Sequence, residues 1–167
     1  RQLPYAVLMD ITVTAKKDFN LGSASVMEAP DALKDVQNYY NEIDRPHVVI
    51  SLLTSTAKSP TGKLLMCASN TFLFSEKHGE EPRVIHEMWD NNMHLMKFSK
   101  KIKAGETYRF SIAGASITSA HHDDPLNEAE RSAIFAKLEG RERLISFHKK
   151  AWDELWTSDI IIDGDAQ

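Results

Sequence analysis

His47-Val48-Val49-Ile50-Ser51-Leu52-Leu53-Thr54 is apolar at both odd and even positions. Successive side chains of a strand point to opposite faces, so this run demands a strand covered on both sides. Lys58-Ser59-Pro60-Thr61-Gly62 is a turn cluster, and Leu64–Phe74 resumes the strand pattern, so the two runs predict a hairpin. Downstream, Glu76–Pro82 is polar and turn-like. Arg83–Trp89 and Met93–Phe98 read as strands on either side of the tight turn Asp90-Asn91-Asn92. Tyr108, Phe110 and Ile112 alternate with Arg109 and Ser111 in a last long strand reaching about Ile117.

Upstream, Tyr5, Val7, Met9, Ile11 and Val13 alternate with polar residues including Asp10, Thr12 and Thr14, the mark of a half-buried strand. Lys16–Gly22 reads as a polar turn. Between Glu28 and Asp44, the residues Ala32, Leu33, Val36, Tyr39 and Tyr40 recur at spacings near three and four. That spacing predicts a short helix after Pro30, ended by Asp44-Arg45-Pro46 because the residue before proline is pushed out of the α region. Short strands spaced by turns imply an antiparallel β-sandwich.

The pattern changes after residue 120. Pro125–Trp156 has no proline beyond its first residue, and Leu144, His148, Ala151, Trp152 and Leu155 form one helical stripe. Gly140 divides the region into Asn127–Glu139 and Arg141–Trp156 as a joint between two helices. Asp124 is placed to cap the first. Asp159–Asp163 reads as a short strand.

The chain has 167 residues, 20 Lys+Arg, 24 Asp+Glu, a net charge of −4 and 42% hydrophobic residues. That suits one globular domain. It supplies no basic face for nucleic acid and no apolar run of the ~20 residues needed to span a bilayer, so neither partner is expected. Cys67 is the only cysteine and sits in the apolar run Leu64–Ala68. It excludes an intrachain disulfide and a thiolate zinc cluster, and reads as a buried, inert thiol. The chain opens on Arg1 with no signal-peptide pattern and stops at Asp163-Gly164-Asp165-Ala166-Gln167, which reads as a piece of a larger protein. The compartment stays open between cytoplasm and periplasm or secretion.

Candidate chemistry is sparse. His121-His122-Asp123-Asp124 groups four potential ligands, but consecutive residues cannot all face one ion, so a solvated loop is the simpler reading. His86 and His94 lie on neighbouring strands and could face each other or a carboxylate such as Glu87. With no third ligand at a matched position, they read as surface or core histidines. No Gly-x-Ser-x-Gly elbow and no phosphate-cradling glycine loop occurs, and no catalytic residue, metal ligand or cofactor is assigned. Trp152 and Trp156 lie four apart and could hold a sugar ring. Their place beside Leu144 and Leu155 reads instead as buried anchors of a helix packed on the sandwich.

The stretch from His148 to Gln167 resembles the linker of glycoside hydrolase family 65. The shared pattern is His-x-x-x-Trp-x-x-x-Trp (His148, Trp152, Trp156), then Asp-Ile-x-Ile-x-Gly-Asp (Asp159 to Asp165), then a Gln (Gln167). Members of that family include maltose, trehalose and kojibiose phosphorylases and acid trehalases. The resemblance implies an N-terminal β-sandwich, a helical linker and an (α/α)6 barrel, with inverting cleavage of an α-glucosidic bond by phosphate or water. The family's general acid lies deep in the barrel, beyond Gln167, so no catalytic residue is carried over. Asp165 and Gln167 match the motif as structural residues.

The resulting expectation is a mainly β chain. A sandwich portion spans 1–120 as part of a larger supersandwich, a two-helix linker spans 121–157, and 158–167 begins an absent barrel. Its expected role is the non-catalytic N-terminal portion of a glycosidase or disaccharide phosphorylase, inactive alone. Its expected partners are a carbohydrate substrate held by the barrel, the rest of the same protein and a second copy, since a sheet cut from its sandwich would self-associate. The alternative is a stand-alone carbohydrate-binding or adhesion sandwich.

Overall fold

The structure is a computed structural model and describes residues 3–157. Eight strands and one long helix follow in order: β1 Ala6–Thr14, β2 Phe19–Glu28, β3 Lys34–Arg45, β4 Val48–Lys58, β5 Leu65–Phe74, β6 Ile85–Met88, β7 Met93–Ile102, β8 Thr107–Thr118 and α1 Pro125–Leu155. A five-stranded sheet runs β1-β8-β5-β4-β3 and a three-stranded sheet runs β2-β7-β6. All neighbours are antiparallel. The mainly β sandwich followed by a broken helix is the architecture that the sequence patterns predict.

The cover demanded by the doubly apolar strand β4 comes from two layers. On one face of the large sheet, Leu53, Phe72 and Phe110 meet Met96, Phe98 and Ile102 of the small sheet. The Phe98 ring stands edge-on to Phe72, Phe74 and Phe110 at centroid distances of 5.1, 4.9 and 5.0 Å, the arrangement favoured by the aromatic quadrupole. On the opposite face lies the first half of α1. Ala129 packs on Cys67, Ala115 and Ile117; Ala133 on Ile50 and Leu52; Ala136 on Leu73 and Ala113. Residues spaced by four and then three share one helical face, and their small side chains let the helix lie close on the sheet. Cys67 is buried here, and burial pushes its thiol up to about 11, so it is an inert core residue.

Gly114 answers another close approach. A Cβ there would lie 2.9 Å from the Ser69 carbonyl oxygen and 3.0 Å from Asn70 Cβ, so β8 can run beside β5 only without a side chain at this point.

Two segments differ from their sequence reading. Residues 34–45 are strand β3, not a helix. Val36, Asn38 and Tyr40 turn inward with period two, and the ladder to β4 runs from Gln37↔Thr56 to Arg45↔Val48. Val36 and Tyr40 fit both periods, and long-range pairing with β4 decides between them. The polar turn at Lys16–Gly22 is displaced by β2, where Phe19, Leu21, Ser25 and Met27 face inward. Its small residues between them hide the alternation. In β1 the apolar stripe is also split: Ile11 joins the core, whereas Val7 and Met9 are exposed, and Leu8 packs beneath the helix.

Asp124 caps α1, accepting from the Asn127 backbone N–H at 3.1 Å. Gly140 breaks the helix with φ 76°, ψ 162°, a conformation that a Cβ strains. Beyond it, Arg141 donates from Nε and Nη2 to both carboxylate oxygens of Asp10, each at 2.6 Å. Ser111 Oγ also donates to Asp10, at 2.8 Å, and the Arg141 guanidinium holds that carboxyl below its usual range. The segment then faces β1 across a cleft lined by Ala6, Val7 and Leu8 on one side and Leu144, Phe147 and Ala151 on the other, and its far end is exposed. Trp152 and Trp156 are 45% and 70% exposed. They stack on each other at 5.9 Å, but they do not anchor the helix on the sandwich. The expected strand Asp159–Asp163, together with Asp165 and Gln167, lies outside the described residues.

Candidate functional site

Strands β4 and β5 pair from Lys58↔Leu65 only as far as Leu53↔Asn70. Beyond that point no ladder joins Val48–Leu52 to Thr71–Phe74, although each run stays paired on its other side, to β3 and β8. A helix, a loop and the second sheet all contribute side chains where the strands diverge. The result is a slot of about 430 Å³ within the large sheet.

Its lining mixes three kinds of group. Phe72, Phe74 and Tyr40 are aromatic walls; Ser51 and Thr71 supply hydroxyls; Glu42, Glu81, Arg83, His78, His86 and Lys137 supply charge or imidazole. The Lys137 ammonium reaches in from α1, pairs with Glu81 Oε1 at 2.8 Å and lies 5.4 Å from the Phe74 ring centroid. Its side chain is only 7% exposed, so this pair is a buried plug. Thr71 is 1% exposed, and its Oγ1 has no hydrogen-bond partner among the described residues. A buried hydroxyl left unpaired costs about 1–3 kcal/mol, and this one is sealed from the slot with almost no accessible surface.

One wall is backed by a histidine relay. The Tyr40 ring lies flat on His86, 4.6 Å between centroids and 4° from parallel. His86 Nε2 is 3.3 Å from His94 Nδ1, and His94 Nε2 is 2.9 Å from Ser55 Oγ. Ser55 Oγ donates to Asn38 Oδ1 at 2.7 Å. With its one proton given to Asn38, Ser55 must accept from His94 Nε2–H. His94 Nδ1 is then the acceptor, and His86 Nε2–H donates to it. A cationic His94 would donate from Nδ1 as well, which would force His86 to carry its proton on Nδ1 so that its Nε2 could accept. Burial, reinforced by His86, pushes His94 down to about 4, and burial lowers His86 as well.

Of the two partners open to His86 and His94 in the sequence, the structure pairs them with each other, with no carboxylate between them. Glu87 turns instead to Lys97. Among the described residues, no group of three His, Cys, Asp or Glu side chains is placed to hold a metal. His121 and His122 pack against Tyr5 rather than on each other. The slot itself has no short sequence signal, because its walls come from β3, β4, β5, the 75–84 loop, β6 and α1.

The whole chain is 66% identical to a kojibiose hydrolase of Mucilaginibacter mallensis, over 100% of this chain and 25% of that protein. The resemblance to glycoside hydrolase family 65 holds. A kojibiose hydrolase of Flavobacterium johnsoniae is 46% identical, over 100% of this chain and 24% of that protein. The chain thus spans about a quarter of the length of these family 65 relatives. A solved structure named as a kojibiose phosphorylase from the human microbiome superposes with TM-score 0.57 at 10% identity, over 91% of this chain and 20% of that one. That similarity carries the fold. No protein-family model matches the chain.

Proposed function

We propose that this chain is the non-catalytic sandwich and linker portion of an enzyme that cleaves an α-glucosidic disaccharide with inversion, using water. The observation that carries the reading is alignment along the entire chain with kojibiose hydrolases of which it makes up 25% and 24%. The division into a sandwich at 1–120, a linker at 121–157 and the start of a barrel at 158–167 belongs to the same proposal. The geometry supports it in two ways. The first half of α1 is fixed on the sheet through Ala129, Ala133 and Ala136, whereas the second half ends in an exposed Trp152–Trp156 pair. Inverting hydrolysis needs a general acid facing a general base across room for a water molecule, about 6.5–9.5 Å apart. In the slot, Glu81 is instead tied to Lys137.

The test compares the 167-residue chain with the intact gene product on kojibiose, maltose and trehalose, with and without phosphate. The expected outcome is turnover of an α-disaccharide by the intact protein without phosphate, and none by the chain. Turnover by the chain that is lost on mutating one of its own residues overturns the reading. A gene product that binds sugar but never cleaves it points to the stand-alone binding module.

A further inference from the structure

We propose that the run Ile160-Ile161-Ile162 docks on the outer edge of β1, adding a strand to the large sheet and filling the cleft between β1 and the second half of α1. Strand β1 is the last of that sheet, so one of its sides pairs with β8 and the other with no described strand. The direction of its backbone groups follows from two bonds that flank the ladder: Ser116 N–H donates to the Tyr5 carbonyl, and Ala15 N–H to the Glu106 carbonyl. Backbone groups alternate sides along a strand, so the odd residues of β1 turn to β8. Leu8, Asp10 and Thr12 therefore turn their N–H and C=O groups outward, and among the described residues no backbone group meets them. Such an edge is a template for one more extended segment.

At Leu8 the edge opens into the cleft, whose other wall is Leu144, Phe147 and Ala151. Leu8 packs toward α1, so Val7 and Met9 lie on the opposite face of the sheet, where they are exposed. A strand added here finds apolar surface on both faces. Three observations name the occupant. Ile160-Ile161-Ile162 is β-branched and apolar at odd and even positions alike, so it needs what this edge offers. It starts six residues past Glu154, which itself lines the cleft, and an extended chain covers ~3.3–3.6 Å per residue, enough to turn back beside the helix. Lys149 and Lys150 line the cleft, and Asp159 and Asp163 bound the run, so the charges are complementary. Held there, the run stays with the sandwich, and the proposed barrel begins beyond Asp163.

Residue-resolved hydrogen exchange on the intact gene product tests the pairing. The Leu8 amide, which points outward, is expected to exchange at least tenfold more slowly than an unpaired amide. Ile161→Asn, and Ile160→Asn combined with Ile162→Asn, are each expected to abolish that slowing while the Val7 and Met9 amides, paired to β8, stay slow. If the isoleucine variants speed Val7 and Met9 as well, they have unfolded the sheet. The reading then passes to Lys149→Glu with Lys150→Glu, changes at exposed residues that are expected to speed Leu8 alone. A Leu8 amide as fast as an unpaired one in the parent overturns the proposal. Leu8 protection that persists in folded isoleucine variants, or in the lysine variant where the isoleucine variants unfold, also overturns it, because another part of the protein then covers the edge. Protection lost on dilution overturns it too, in favour of a second copy.

Discussion

His94 is held neutral between two partners that fix its protons. Its Nε2–H goes to Ser55, and its Nδ1 receives His86. An unfolded chain takes up a proton at this imidazole near the ordinary 6.5, whereas the folded chain resists it until about 4. Between those values the unfolded state binds more protons, so stability rises with pH and is lost as pH falls from about 6.5 to about 4. The gap is worth on the order of 3 kcal/mol. Thermal melts across that window are expected to show the midpoint falling. His94→Gln is expected to lower the midpoint at neutral pH and to flatten its acid dependence. An equally steep fall in the variant would place the sensitive group elsewhere.

At the scale of the element, α1 is two helices with different duties, divided at Gly140. The first presents Ala129, Ala133 and Ala136 to the sheet, each essentially buried. Ala133 sits against Ile50 and Leu52, with no room for a longer side chain while the helix keeps its distance. Ala133→Leu should therefore cost about 1–3 kcal/mol through overpacking, read as a lower midpoint in chemical denaturation. A neutral result would mean the helix can lift from the sheet. The second helix is tied down near its start by the Arg141–Asp10 fork and is exposed at its far end. Leu144 still reaches the core beside Leu8, whereas Trp152, Leu155 and Trp156 do not.

For the whole molecule, that exposed end is where the proposed barrel would meet this portion. The proposal separates two outcomes. In the isolated chain, Trp152→Ala and Trp156→Ala should change stability by less than about 0.5 kcal/mol, as surface substitutions do. In the intact protein the same changes should cost on the order of 3 kcal/mol, as for a buried aromatic. Differential calorimetry on both forms reads the contrast. Equal, small effects in both would leave the tryptophans facing solvent and remove this contact from the proposal. The demand of β4 and β5 for cover is already met inside the chain by α1 and the small sheet, so those strands supply no reason for the isolated chain to associate.

The sequence by itself determined the elements whose signals are local. Doubly apolar runs gave β4 and β5, clear alternation gave β8, Asp-Asn-Asn marked the β6–β7 hairpin, and Asp124 and Gly140 marked the start and break of α1. The His86–His94 pair was legible for the same reason, since a short hairpin sets their distance. Tertiary structure alone decided β3, where helical and strand spacings coincide at Val36 and Tyr40 and only pairing with β4 separates them. It also decided which face of α1 is buried. Three alanines carry that contact because small residues allow close approach, while the larger and more conspicuous tryptophans stay outside. The slot belongs wholly to this second class. It exists because two strands that pair at one end separate at the other, where Lys137, the 75–84 loop and the small sheet meet, and no spacing along the chain encodes that meeting.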